Sequence, residues 1–183
     1  TITAWQVENE PLLDYGICPP VDRAFLEKEV KLVRELTRKP IILTDSGELR
    51  PWHTVMKLSD IFGTTMYRTV YNNWLGQTTY PLQPWFYQVK SDLTRKFFAP
   101  NNQKTLIAEL QTEAWANQPL TQVPIAEQVA NFPIAQLRAN VDFARKTGFD
   151  EIYLWGVEWW YYLASNGQPG YLDLAKMIFK GPL

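Results

Sequence analysis

Apolar and polar positions along the chain follow two different periods. Apolar runs typical of strands cover residues 2–8, 40–44, 63–71, 105–112 and 151–155. Apolar residues spaced three or four positions apart predict helices over residues 22–38, 52–61, 85–97, 134–147 and 171–179. Loops are expected where Pro and Gly recur, around Gly76 and Pro81 and again around Pro119 and Pro124. Strands that alternate with helices, without an obvious hairpin signal, indicate βαβ units and a parallel sheet.

The positions of glycine motifs and of polar and aromatic residues relative to the strands predict the architecture of that sheet. No Gly-x-Gly-x-x-Gly or Walker-type phosphate loop follows any predicted strand, so a nucleotide-binding doubly wound sheet lacks its usual motif. Polar and aromatic residues instead stand at the carboxyl ends of strands, where (β/α)₈ barrels place their active sites. We therefore predict an α/β fold, a partial (β/α)₈ TIM barrel, with residues 1–183 as one catalytic domain. It would hold the last five βα units, because a complete barrel typically takes about 250 residues. The first three units would lie upstream or on another chain.

Composition and charge limit the classes of binding partner that we expect for the chain. With 18 basic and 19 acidic residues the formal net charge is −1, which excludes nucleic acid as an expected partner. No apolar run is long enough for a membrane segment, and a single Cys with a single His gives no zinc-binding cluster. The first residue is Thr rather than Met, so we expect a processed or trimmed chain, and the absence of a visible signal does not define where the full protein is located. An extracellular or cell-surface location is our expectation for the full-length form. The 14% aromatic content suits stacking on sugar rings.

Two strands carry rows of polar side chains at every second position. If a period of two holds, each row faces one side of its strand and lines a polar interior. Glu10 and Glu113 close the two rows about three βα units apart, on roughly opposite sides of a barrel mouth. Two facing carboxylates are what glycoside hydrolysis requires, and in retaining enzymes they lie about 5 Å apart. The rows are Gln6, Glu8 and Glu10 in the first strand, and Glu109, Gln111 and Glu113 in the fourth.

At these positions the chain resembles a known family. The stretch "WQVENEP" is similar to the fourth-strand signature of clan A glycoside hydrolases, the family-5-like retaining enzymes, in which an Asn-Glu pair ends the strand. The resemblance implies that Glu10 is the acid/base and that Asn9 contacts the sugar 2-hydroxyl. Glu113 in "ELQTEAW" then matches the seventh-strand nucleophile, although Glu109 lies on the same face.

The resemblance extends to two aromatic residues. Tyr67, in the segment that enters the clan's sixth strand, matches the Tyr that contacts the nucleophile, and Tyr71 competes for that role. Trp155 matches the eighth-strand Trp beneath the reacting sugar. The chain departs from the pattern at Thr65, where many members carry His or Asn, and it lacks the clan's second- and third-strand Arg and His residues. Trp115, Glu158, Trp159, Trp160, Asp45 and His53 are further candidate sugar contacts.

The sequence therefore predicts a glycoside hydrolase that cleaves β-glycosidic bonds by a retaining mechanism, with a carbohydrate substrate, no cofactor and no metal. Two other classes stay open. One is a non-catalytic carbohydrate-binding half-barrel, in which the same aromatic residues bind sugar without turnover. The other is a metal-dependent barrel enzyme that holds Mg²⁺ through Glu8, Glu10, Glu109 and Glu113.

Overall fold

A computed structural model describes residues 1–15, 19–72, 74–100, 102–116 and 118–181. Within these residues strands and helices alternate along the chain. The strands are β1 (Trp5–Glu8), β2 (Ile41–Ser46), β3 (Ile61–Met66), β4 (Thr69–Asn72), β5 (Gly76–Thr79), β6 (Lys104–Gln111) and β7 (Glu151–Trp155). The helices are α1 (Arg23–Leu36), α2 (His53–Leu58), α3 (Pro84–Phe98), α4 (Ile125–Asn131), α5 (Ile134–Arg145), α6 (Val157–Ser165) and α7 (Gly170–Lys180), with one 3₁₀ turn at Leu120–Gln122.

Five strands form one parallel sheet in the order β1-β2-β3-β6-β7. The order in space is therefore the order along the chain, as successive βαβ units produce. This confirms the predicted α/β class and the parallel sheet. The carboxyl ends of all five strands lie at one edge of the sheet, and the segments that follow them meet there.

One face of the sheet packs against the helices and the other carries polar side chains. Ile41, Leu43, Phe62, Ile107 and Leu110 are fully buried in the apolar core, which they share with helix residues such as Leu26, Met56, Leu137 and Ala144. Burial of these side chains is the main source of stability of the fold. The polar face carries Thr44, Thr65 and Glu109. Their side chains hydrogen-bond to Asn9, Glu10 and Tyr67, respectively, which lie just after the ends of strands.

The helices begin and end where local chemistry allows. Asp22 caps α1 by accepting a hydrogen bond from the Phe25 N–H at 3.1 Å. Pro84 occupies the first position of α3, where its missing N–H leaves no hydrogen bond unmade. After α5 the chain reverses at Gly148, whose φ of 70° lies in the left-handed region that glycine favours.

Three sequence predictions of secondary structure were wrong. Residues 69–79, expected to be the end of a strand and a loop, form the antiparallel hairpin β4–β5. Helix α4 lies in the predicted loop after β6, and helix α6 starts directly after β7 where a substrate-contacting loop was expected. Of the described residues, none belongs to a helix with the length and apolar character needed to cross a bilayer.

The predicted polar row of the first strand is also wrong. The pairing of β1 with β2 shifts by one residue between Gln6 and Glu8, so a bulge interrupts the period of two. Gln6 donates hydrogen bonds to Asn9 and Thr44, whereas Glu8 interacts with Glu29 on α1. The bulge therefore breaks the alternation that the predicted row of Gln6, Glu8 and Glu10 requires.

Candidate active site

A cavity of about 240 Å³ opens at the carboxyl ends of the sheet. It is surrounded by residues from the ends of β1, β2, β3 and β6 and by the hairpin β4–β5. This is the edge at which parallel α/β folds place their ligands. Its lining is mainly aromatic and acidic: Glu10, Leu13, Tyr15, Ser46, Glu48, Leu49, Thr65, Tyr67, Val70, Tyr71, Tyr80, Glu109 and Trp115.

Glu10 projects from a strained turn directly after β1. Its φ of 48° is unusual for a residue with a side chain, and the turn is held by hydrogen bonds from the Glu10 N–H to the Thr44 hydroxyl (2.9 Å) and from the Leu13 N–H to the Glu10 carbonyl (2.9 Å). Thr65 donates its hydroxyl to the Glu10 carboxyl at 2.8 Å. Burial raises the pKa of this carboxyl to about 7; the Thr65 bond opposes the rise, and the charges of Glu109 and Asp45 add to it.

Glu109 is the second carboxylate of the cavity, and it lies beside Thr65 in the pairing of β3 with β6. Tyr67, the first residue after β3, donates its hydroxyl to Glu109 at 2.8 Å. Burial and the neighbouring charge of Glu109 raise the pKa of Tyr67 well above its usual range, so the phenol stays a hydrogen-bond donor. Thr65 and Tyr67 thus link the two carboxylates along one strand end.

Trp115 and Asn9 flank this pair. The Trp115 ring packs edge-on against Tyr67, with 5.1 Å between the ring centroids, and forms part of the cavity wall. Asn9 does not line the main cavity; it lies in an adjoining groove that shares Glu10, and its side-chain oxygen accepts hydrogen bonds from Thr44 and Gln6.

Glu113 lies beyond the end of β6 and does not line the cavity. Its Cβ lies so close to Gly156 that a side chain at Gly156 would begin only 2.9 Å from it. Burial raises the pKa of Glu113; hydrogen bonding from Trp155 opposes the rise, and the charges of Glu158 and Glu109 add to it. Glu113, Trp155 and Glu158 therefore form a second group at the end of β7, next to the cavity rather than in its wall.

Three other candidate sugar contacts lie outside the cavity lining. Trp159 and Trp160 are buried, and their indole N–H groups donate to Gln128 and to the Thr112 carbonyl. His53 packs against Phe98 and does not line the cavity. The idea that Trp159 and Trp160 contact substrate from a loop is wrong, because α6 turns both rings into the core.

Sequence reasoning missed Glu48, which lines the cavity two residues after β2. Tyr87 of α3 donates its hydroxyl to the Glu48 carboxyl at 2.6 Å. Burial raises the pKa of Glu48 to about 7, against the opposing effects of the Tyr87 bond, a backbone hydrogen bond and Lys90; the charge of Glu10 adds to the rise. Asp45, three residues before Glu48, is buried, and its pKa is raised to about 6 by burial. Only the cluster Asp45-Ser46-Gly47 after an apolar strand hinted at this acidic loop.

The acidic residues do not assemble into a metal site. Among the residues that the structure describes, no three His, Cys, Asp or Glu side chains are grouped closely enough to hold a metal ion. In particular, Glu8 interacts with Glu29 of α1 and does not line the cavity that Glu10 and Glu109 share. The four glutamates proposed as Mg²⁺ ligands therefore do not form one ligand set.

Comparison with known proteins gives a weak structural similarity. No family model matches the chain, and no curated protein matches it. Among solved structures, the chain is similar to a β-glucuronidase of Faecalibacterium prausnitzii, with a TM-score of 0.37 and 15% sequence identity. The match covers 72% of this chain and 21% of that one, so the matched region spans about a fifth of the glucuronidase.

Proposed function

We propose that the protein is a retaining β-glycosidase in which Glu10 is the acid/base. The observation that supports this most is the pair of buried carboxylates, Glu10 and Glu109, in one aromatic-walled cavity at the carboxyl ends of a parallel sheet. A carboxyl with a pKa of about 7 is protonated often enough near neutral pH to act as a general acid.

Glu109 is the nucleophile in this proposal. The hydroxyl of Tyr67 donates a hydrogen bond to one of its oxygens and so fixes the orientation of the carboxyl group. Its carboxylate attacks the anomeric carbon while the glycosidic C–O bond breaks and the leaving oxygen takes the proton of Glu10. Glu10 then removes a proton from water, which attacks the same carbon and releases Glu109. Glu113, favoured by the sequence, stays as the alternative nucleophile, since it lies within electrostatic reach of Tyr67.

The aromatic walls bind the sugar in this proposal. Tyr15, Tyr71, Tyr80 and Trp115 present apolar ring faces to the cavity, and sugar C–H faces stack on such surfaces. In this proposal Asn9, Trp155 and Glu158, which do not line the cavity, contact substrate that extends beyond the reacting sugar.

The sheet is part of a (β/α)₈ barrel in this proposal. Its two edge strands have large exposed side chains, with Trp5 44% and Tyr153 53% exposed. A groove beside β1, lined by Leu32, Val33 and Leu36 of α1, provides an apolar surface for a neighbouring βα unit. Three further units, from upstream sequence or another chain, would complete the barrel.

A trapping experiment tests both the activity and the choice of nucleophile. The longest natural form of the protein is assayed on a panel of 4-nitrophenyl β-glycosides, and an active member is then replaced by its 2-deoxy-2-fluoro analogue. A retaining enzyme accumulates the covalent glycosyl-enzyme, which mass spectrometry detects. Glu109 and Glu113 fall in the same tryptic peptide, residues 105–138, so fragmentation must assign the label.

The outcomes separate the alternatives. A label on Glu109 supports the proposal, and a label on Glu113 restores the assignment made from the sequence. External azide should partly rescue Glu10→Ala on activated substrates, as expected for loss of the acid/base. Sugar binding without any turnover would instead support the carbohydrate-binding half-barrel.

A further inference from the structure

The cavity contains one more carboxylate than the proposed reaction needs. Among the described residues that line it, the charged ones are Glu10, Glu48 and Glu109, and no Lys, Arg or His is among them. Glu10 and Glu109 have roles in bond cleavage. Glu48 has none, yet it faces the same space and is close enough to Glu10 for their charges to interact.

The loop that carries Glu48 is held in place from behind. Tyr87 donates to the Glu48 carboxyl at 2.6 Å, and the Lys90 ammonium donates to the Gly47 carbonyl at 2.8 Å. Gly47 packs against the Thr65 carbonyl and the Tyr87 ring so closely that a Cβ would not fit. Glu48 therefore keeps a fixed position in the wall.

Two cations within electrostatic reach of Glu48 do not line the cavity. Lys90 lies over the Trp52 ring, 4.1 Å from its centroid, and Arg68 lies over the Phe143 ring at 3.7 Å. Neither lines the cavity. A negatively charged group that entered the cavity would thus meet three carboxylates and no cation in the described wall.

We propose that the cavity selects against glycosides of uronic acids and that Glu48 sets this selectivity, an inference that rests on the proposed glycosidase activity. The carboxylate of a uronic acid is repelled by fixed like charges, and the repulsion is stronger in a partly desolvated cavity than in water. A neutral sugar meets no such penalty, because its hydroxyl groups donate hydrogen bonds to carboxylate oxygens.

Paired substrates test this selectivity. The 4-nitrophenyl β-glucoside and β-glucuronide share a leaving group and differ in charge at one carbon; the corresponding galactosides form a second pair. At pH 8, where Glu48 is mostly ionised, kcat/KM should favour the neutral member by at least about 100-fold. Glu48→Gln keeps a hydrogen-bond acceptor for Tyr87 and should reduce that preference about tenfold. Glu35→Gln, which removes the same charge from the exposed face of α1, should leave it unchanged.

A measurement on the unmodified protein tests the selectivity without depending on whether the Glu48→Gln variant folds. Raising the salt concentration to about 1 M shortens the screening length to about 3 Å, which should weaken discrimination between the paired substrates. Efficient hydrolysis of a uronide, or a preference that neither salt nor Glu48→Gln alters, would overturn the assignment of Glu48 while the glycosidase function stands. A panel on which no aryl glycoside is cleaved would overturn the glycosidase function itself.

Discussion

Buried amides and buried carboxylates have opposite surroundings in this molecule. Gln128 is fully buried; it donates to the carbonyls of Leu120 and Val123 and accepts from the Trp159 indole, all at 2.7 Å. Gln111 is paired in the same way with both the N–H and the carbonyl of Thr69. These amides replace missing backbone hydrogen bonds and tie loops to the sheet.

The carboxylates have fewer partners. Glu10, Glu48 and Glu109 each receive one side-chain hydroxyl, from Thr65, Tyr87 and Tyr67, and each lines the cavity. An ionised carboxylate can accept about four hydrogen bonds, so each retains capacity for a ligand. The comparison indicates two uses of buried polar side chains in this molecule. They stabilise the fold when their hydrogen bonds are all made within the protein, and they can bind a ligand when part of their hydrogen-bonding capacity is unused.

Glu109→Gln gives the largest expected effect on the carboxylate side of the comparison. If Glu109 is the nucleophile, kcat/KM for an aryl β-glycoside should fall by about 10⁴-fold or more with no loss of stability. Glu113→Gln, made on the same strand end, should change kcat/KM by less than about tenfold. A reversed pattern would make Glu113 the nucleophile.

Glu10→Gln should reduce kcat/KM by about 10²- to 10⁴-fold on substrates with poor leaving groups. The loss should be much smaller for a dinitrophenyl glycoside, because that leaving group departs without a proton. In the wild type, kcat/KM for poor leaving groups should fall as pH rises through about 7, where Glu10 loses its proton. Steady-state pH profiles would contradict the assignment if this limb persisted in Glu10→Gln.

Gln128→Leu tests whether the buried amides stabilise the fold. It leaves the buried Val123 carbonyl and the Trp159 indole N–H without their side-chain partner and removes one of two hydrogen bonds to the Leu120 carbonyl, so the free energy of unfolding should fall by about 2–4 kcal/mol. The kcat/KM of the folded protein should not change, because Gln128 lies outside the cavity lining. Gln122→Leu, an exposed amide in the same segment, serves as the control in urea unfolding and should stay within about 0.5 kcal/mol of wild type.

A further prediction concerns stability as a function of pH. Burial raises the pKa of Glu10 from 4.5 to about 7 and that of Asp45 from 3.8 to about 6. The folded protein therefore binds more protons than the unfolded chain in this window, so these groups make stability decrease as pH rises from about 4 to 7. Thermal unfolding should give a lower Tm at pH 8 than at pH 5, with a smaller difference in a Glu10→Gln, Asp45→Asn variant. A higher wild-type Tm at pH 8 would contradict burial as the dominant influence.

The fold was largely predictable from the sequence because its main signals are periodic. Five apolar runs separated by helical patterns were sufficient to identify the parallel sheet. The hairpin β4–β5 was missed, since its turn between Asn72 and Gly76 is longer than the two-residue Asn-Gly turn that marks hairpins most clearly. Helix α6 was missed because its aromatic run, Trp159 to Tyr162, has no polar face that would reveal a helical period.

The site was predictable only in part, because alternation fails where strands bulge or end. Glu10 and Tyr67 follow the ends of strands that the surrounding sequence identifies, and both line the cavity. Glu8 was misplaced because a bulge is a backbone irregularity that side-chain patterns do not record. The pairings of β6 shift between Ile107 and Leu110 and the strand ends at Gln111, so a period of two could not locate Glu113, whereas Glu109 lies within the strand. Glu48 was missed because its importance depends on Tyr87, 39 residues away.

The left-handed backbone of Glu10 bears on how such a chain can evolve. An L-residue with a side chain in this conformation costs roughly 1–2 kcal/mol, whereas Gly adopts it freely and Asn tolerates it better than most. If Glu10 is the acid/base, as proposed, selection for stability and selection for catalysis act in opposite directions at this position. A lineage that kept the proposed sugar-binding walls but no longer needed turnover would then gain stability by replacing Glu10 with Gly or Asn, so the residue at this position would distinguish enzymes from sugar-binding descendants.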